Sequence, residues 1–318
     1  MPSELINVEH PFYVSPSVHK EMLDDVVRTV AFRNALAELL AENNNASVLD
    51  IGTGTGILAM SAAQLGAKKV FASEIAGAIF DATNKTIQAN GFEEKVALLK
   101  YDSEQKLPLP HKVDIIVSEC LGHFGFDENM IQAVSSCNEY LKPNGKFLPE
   151  SVTLFAALTC APSIYNDCID VWNDSRYGID FSVMRTLALN NIYVKTFETD
   201  AIISEQAKLI SYQLGEPCGI LNGRMRIVAS ADGMVNGLAG WFESKLSENI
   251  TLSTSPYAET THWEQVFMPI ASPFFVSKGM AIDIDLMVDN HTESNKVTFS
   301  WTIYNPETQT SYKGSATI

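Results

Sequence analysis

The hydrophobic period of this chain changes once, at Pro149. Before it, short apolar runs alternate with segments at helical spacing. Residues 20–42 carry Leu23, Val27, Val30, Leu36, Leu39 and Leu40 at helical spacing, and Asn43–Asn45 ends the run. Strands are predicted at 47–51, 69–73, 96–100, 113–118 and 146–148, with helices at 57–65, 78–89 and 130–140. Strands and helices in that alternation predict a parallel, doubly wound α/β sheet. After Pro149 the period drops to two. Val297, Phe299, Trp301 and Ile303 alternate with polar residues, as do Ile282, Ile284, Leu286 and Val288. Similar runs at 193–199, 207–214, 224–230 and 237–246 predict an antiparallel sandwich or barrel with one wet face. The expected division is an α/β domain over 1–148 and a β-domain over 149–318. An aromatic-rich insertion at 163–190 interrupts the β pattern, to pack on its own barrel or on a second subunit.

Composition removes several classes of function. A net charge of −16 and a pI near 4.7 repel phosphate backbones and anionic membranes, and attract basic peptides or small cations. Nucleic-acid and membrane partners are therefore not expected. Five scattered cysteines without C-x-x-C spacing argue against a disulfide scaffold or a zinc site. No basic-then-apolar leader and no run of about 18 apolar residues is visible, so the cytoplasm is the default expectation.

Two motifs carry chemistry. The first, Val48-Leu-Asp-Ile-Gly-Thr-Gly-Thr-Gly56, follows a strand and opens a helix, so Gly52, Gly54 and Gly56 permit a tight turn against a ligand. The dinucleotide fingerprint would require glycine at position 57, which is Ile57. Glu74, ending the next strand, stands where a carboxylate accepts ribose hydroxyls, and Asp50 is placed to reach a cationic group. A nucleoside without phosphate and with a positive sulfonium, S-adenosyl-L-methionine, suits this set.

The second motif runs from Ser118 to Met130 and places Glu119 and Glu128 nine positions apart. A paired carboxylate beside a cationic cofactor suits a guanidinium substrate. Arginine stays protonated, and two unit charges roughly 4 Å apart repel by about 4 kcal/mol at an effective dielectric near 20. Two carboxylates offset that repulsion, and their forked hydrogen bonds aim one nitrogen. Glu128, its neighbour Asp127, or His262 backed by Asp25 is the candidate proton acceptor, and the residues alone do not separate them.

With these motifs in hand, the chain resembles the protein arginine methyltransferase family over nearly its whole length. Val48–Leu58 is similar to the family's first motif, Asp114–Met130 to its double-glutamate loop, and Thr261-His-Trp263 to its Thr-His-Trp loop. His19–Asp25 with Arg28-Thr29 is similar to the helix that caps the cofactor. The resemblance implies a Rossmann-like methyltransferase domain, a β-barrel with a helical dimerisation arm at 163–190, and a homodimer. It implies that Arg28 pairs with the cofactor's carboxylate, that Asp50, Gly52, Gly54 and Glu74 hold its amino and ribose groups, and that Glu104 lies near the adenine. Met22 and Met130 would line the transfer channel, Asp25 and His262 would form a carboxylate–imidazole pair, and Tyr13 and Trp263 would lie on the substrate side. Cys120, Leu121, His123 and Asp127 replace residues that the family commonly has as aromatics or methionine. Three functions stay open: methylation of arginine in proteins, methylation of free arginine or another small guanidino compound, and a non-catalytic scaffold of the same fold.

Overall fold

The computed structural model describes residues 15–43, 45–75, 77–100, 106–128, 130–217, 219–291 and 296–318. They form two compact units. The first holds residues up to Glu119, Ser136–Glu150 and a short return, Lys245–Leu252. The second holds Cys120–Ser135, Ser151–Ser244 and Ser253–Ile318.

In the first unit, helices α1 (Pro16–Asp24) and α2 (Val26–Glu42) precede strand β1 (Ser47–Ile51). Then follow α3 (Ile57–Gln64), β2 (Lys69–Glu74), α4 (Gly77–Ala89), β3 (Val96–Lys100) and β4 (Val113–Ser118). Helix α5 (Met130–Ser136) belongs, but for Ser136, to the second unit; in the first, a 3-10 turn follows from Cys137 and β5 (Leu141–Leu148) closes the sheet. The strands pair in parallel in the order β3-β2-β1-β4-β5. All five residues of β1 are buried, as a sheet covered on both faces requires. Helix α2 buries Phe32, Ala35, Leu36 and Leu40 along one stripe. The winding reverses between β1 and β4, and ligands bind at the carboxyl ends of the strands flanking such a reversal. Here β1 feeds the glycine loop and β4 feeds Glu119.

The sequence suggests one helix over 20–42, but the structure breaks it at Asp25. Asp25 has extended backbone, φ −72 and ψ 92, and its carboxylate accepts from the Arg28 amide at 2.8 Å. An aspartate at that position caps a new helix better than it continues an old one. Residues 141–145, ahead of the strand predicted at 146–148, are the first part of β5.

The second unit begins with β6 (Ser151–Thr159), α6 (Pro162–Cys168), α7 (Met184–Leu189), β7 (Tyr193–Lys195) and β8 (Ala207–Gln213). It continues with β9 (Ile220–Val228), β10 (Gly233–Lys245), β11 (Thr251–Ser253) and β12 (Gln265–Val276). Strands β13 (Ala281–His291), β14 (Lys296–Asn305) and β15 (Thr310–Thr317) complete it. One sheet runs β7-β12-β10-β6-β8 with β11 on β10, and the other runs β15-β14-β13-β9. Strand β8 lies along β9 and β12 along β15, giving a barrel-like closure.

The insertion packs at its base on its own barrel. Tyr165, Cys168, Ile169 and Ala188 share a core with Phe155, Trp241 and Phe267, and the Tyr165 hydroxyl donates to the Ile270 carbonyl at 2.9 Å. Its outer part is wet and apolar, with Tyr177 fully exposed and Val183 78% exposed.

Gly314 tests the tightness of this barrel, because a side chain there would overlap the indole of Trp301, which is buried. Gly314→Ala should cost about 1–3 kcal/mol by overpacking. Chemical denaturation should show a lower midpoint with an unchanged slope.

Candidate active site

The glycine loop of the first unit is built around positive φ. Gly52, Gly54 and Gly56 have φ of 68, 53 and 82, a region that costs any other residue steric strain. Glu74 closes the loop from β2: one carboxylate oxygen accepts from the Gly54 amide at 2.8 Å, the other from Ile75, also at 2.8 Å. Asp50 is buried and accepts from the Thr53 hydroxyl at 2.6 Å. Burial pushes its carboxyl up to about 7, with Thr53 opposing the shift and nearby Glu74 adding to it.

Sequence reasoning named His19 only as the first residue of the cofactor-capping stretch, and it did not single out Thr83. The buried His19 ring lies beside Gly54, where an added Cβ would come within 3.3 Å of it, and the Thr83 hydroxyl donates to the Gly54 carbonyl. The approach of either side chain to Gly54 is a tertiary signal, and Thr83 had no motif to announce it. The loop bears carboxylates and backbone amides, with no lysine or arginine among residues 50–56, so it fits a nucleoside better than a phosphate.

Arg28 does not point into that loop alone. Its guanidinium forms a buried ion pair with Glu119, with Nε donating to Oε2 at 2.7 Å and Nη2 closing the fork. A third donor, Nη1, reaches the Met22 carbonyl at 2.9 Å. Arg28 and Glu119 side chains are 7% and 6% exposed, so the pair is largely withdrawn from water. Asp25, as the cap of α2, fixes the turn that carries Arg28.

In the second unit, the stretch from Cys120 to Glu128 is folded onto itself by Asp127. Its carboxylate accepts from the amides of His123 and Phe124, both at 2.8 Å. Burial raises the Asp127 carboxyl above its usual range, and the Phe124 and His123 amides oppose that shift. Gly122, at φ 60, leaves the room that this carboxylate fills. The His123 ring bonds the Trp263 carbonyl through Nδ1 at 2.9 Å. His262 sits on Trp263 with ring centroids 4.3 Å apart. The Trp263 indole itself is 2% exposed and packs edge-on against Phe242, so it acts as a core residue. Glu128 is half-buried. Tyr13 and Glu104, and the side chain of Met130, lie outside the described residues. Among the described residues, no cluster of histidine, cysteine or carboxylates has the arrangement of a metal site.

Comparison with known proteins gives the class. The arginine methyltransferase oligomerization subdomain matches residues 150–305, and a ribosomal protein L11 methyltransferase family matches 29–149. Protein arginine N-methyltransferase 1 of Saccharomyces cerevisiae is 31% identical over 289 residues, covering 88% of this chain and 82% of that protein. Protein arginine N-methyltransferase 6 of Xenopus laevis is 31% identical over 288 residues, with 86% and 84% covered. Among solved structures, the Trypanosoma brucei PRMT1 enzyme–prozyme heterotetrameric complex with AdoHcy superposes with TM-score 0.88 at 25% identity, covering 96% of this chain and 99% of that one. Arabidopsis thaliana protein arginine methyltransferase 10, in an open conformation, shares the fold with TM-score 0.80 at 24% identity, covering 96% and 99%. The chain belongs to the protein arginine N-methyltransferase family, enzymes that use S-adenosyl-L-methionine.

Proposed function

We propose that this chain methylates the guanidinium of arginine in peptides or proteins, with Glu119 and Glu128 as the two carboxylates that receive it. One observation supports this above the rest: Glu119 already holds a guanidinium, that of Arg28, through a forked contact at a buried position. A carboxylate placed to grip one arginine side chain is suited to grip another. Arg28 then has two alternative partners, Glu119 and the carboxylate of the cofactor. S-adenosyl-L-methionine, when bound, supplies the electrophilic methyl group. Asp50 would take its ammonium and Glu74 its ribose hydroxyls, beside the glycines at 52 and 54.

The remaining work falls to protein groups. Glu119 and Glu128 neutralise the positive substrate, and unequal pairing polarises it so that one nitrogen regains lone-pair character. The Asp127 carboxylate is committed to two amides, which favours Glu128 or His262 as the proton acceptor. The exposed apolar outer part of the insertion suits a second copy of the chain, and a homodimer in the cytoplasm is our working assignment. The acidic charge favours basic, arginine-rich peptides over a small metabolite. A second assignment, a non-catalytic partner of a related enzyme, draws on the T. brucei complex, whose description pairs an enzyme with a prozyme.

Incubation with methyl-labelled cofactor and either an Arg-Gly-rich peptide or free arginine should label the peptide. Mass spectrometry then assigns mono-, symmetric or asymmetric dimethylation. Label on free arginine alone would favour the metabolite substrate, and transfer to no guanidine at all would leave only the non-catalytic role.

Asp50 supplies a pH test. A carboxyl at about 7 is mostly ionised at pH 8 and mostly protonated at pH 6, and only the ionised form attracts an ammonium. Affinity for S-adenosylhomocysteine should therefore fall about tenfold from pH 8 to pH 6, measured by calorimetry. The Asp50→Asn variant should bind weakly and show no such slope.

A further inference from the structure

We infer that Asp127 is a positioning residue for substrate recognition, acting by fixing the loop that carries Glu128. This rests on the assignment of Glu128 to the guanidinium. Four observations converge on it. The Asp127 carboxylate accepts from both the His123 and the Phe124 amides at 2.8 Å, which closes the loop over four residues. Gly122 adopts φ 60, and any side chain there would collide with that carboxylate, so the backbone is shaped to admit it. His123 is held in turn from its ring. A carbonyl oxygen only accepts, so Nδ1 of His123 must carry the proton that reaches the Trp263 carbonyl at 2.9 Å. That bond ties the Cys120–Glu128 stretch to the Thr261–Trp263 stretch, where His262 lies against Trp263.

Asp127 immediately precedes Glu128, so what fixes the backbone of one fixes the start of the other. Aromatic side chains, common at this position in the family, would brace a loop by packing. Here a carboxylate does it with two charge-assisted hydrogen bonds, which are directional and stronger than neutral ones. The loop can then spare the bulk lost at Cys120 and His123 and still present Glu128 in one place. Displacement of a recognition group by about 1 Å can cost on the order of a hundredfold in rate.

The test uses the full chain with an Arg-Gly-rich peptide. Asp127→Ala should lower kcat/KM for the peptide by about tenfold to a hundredfold, while affinity for S-adenosylhomocysteine stays within about twofold. Asp127→Asn, which keeps the shape but only one of the two acceptor oxygens, should recover part of the loss. Amide hydrogen exchange should show faster exchange at His123 and Phe124 in the alanine variant, a readout that needs no activity. Wild-type kcat/KM in Asp127→Ala overturns the proposal, as does equal loss of cofactor affinity. If the alanine variant does not fold, Asp127→Asn decides: an intermediate loss with normal cofactor affinity supports the role, and full activity overturns it. A wild-type chain that methylates no guanidine refutes the assigned function instead, and the two failures are thus distinct. In that case peptide affinity measured by calorimetry replaces kcat/KM in the same comparison.

Discussion

An arginine-containing peptide should bind this chain at least about tenfold more tightly in the presence of S-adenosylhomocysteine than in its absence, a difference of about 1.4 kcal/mol. The cause is Arg28. Its guanidinium pairs with Glu119 in this structure, so on the proposed assignment an incoming arginine would have to displace an internal competitor of the same chemistry. On the same assignment, the carboxylate of the nucleoside would offer Arg28 another anion and release Glu119 for the substrate. Linkage makes the effect reciprocal, so the peptide should tighten nucleoside binding by the same factor. Isothermal titrations in both orders measure it. Equal peptide affinities with and without the nucleoside would show that Arg28 never leaves Glu119 or never blocks it.

The second large effect separates the two glutamates. Glu128→Gln should reduce kcat/KM for the peptide by a hundredfold or more, about 3 kcal/mol, and leave nucleoside affinity nearly unchanged. Glu119→Gln should also abolish turnover, and it carries a folding penalty of its own. It strands the Arg28 charge at a position where only 7% of the side chain is exposed. Removing one member of a buried ion pair typically costs about 3–5 kcal/mol, visible as a lower melting temperature. A double variant, Glu119→Gln with Arg28→Met, should regain part of that stability while remaining inactive. If Glu119→Gln melts like the wild type, the Arg28–Glu119 pair contributes nothing to the fold.

Much of the architecture was legible because periodicity reports burial. Strands β13 and β14 have one wet face, and their alternation shows directly in the sequence. Strand β6 did not show, because all nine of its residues are buried and no polar face marks its period. Strand β12 was hidden for the same reason over its first half, and Pro269 within it weakens the strand signal further. The break at Asp25 was invisible to hydrophobic spacing, since a capping hydrogen bond leaves no trace in an apolar pattern. The candidate site divides likewise. The glycine loop and the glutamates announce themselves by motif. The partners that set their geometry do not: Met22 offers Arg28 a backbone carbonyl, His19 lies beside Gly54 from a distant helix, and Asp127 stood out as a candidate proton acceptor and a departure from an aromatic pattern, not as the brace of its loop.

Strand β6 has a consequence for biosynthesis. Ser-Val-Thr-Leu-Phe-Ala-Ala-Leu-Thr contains no charge and no proline, and its neighbours in the sheet are β8 and β10. A nascent chain has to add about fifty residues after β6 before β8 emerges, and more before β10. At roughly 5–20 residues per second that leaves a sticky segment without its sheet neighbours for several seconds on the ribosome. Slowed growth temperature or a co-expressed holdase should therefore raise the soluble yield of this chain more than any change at its surface.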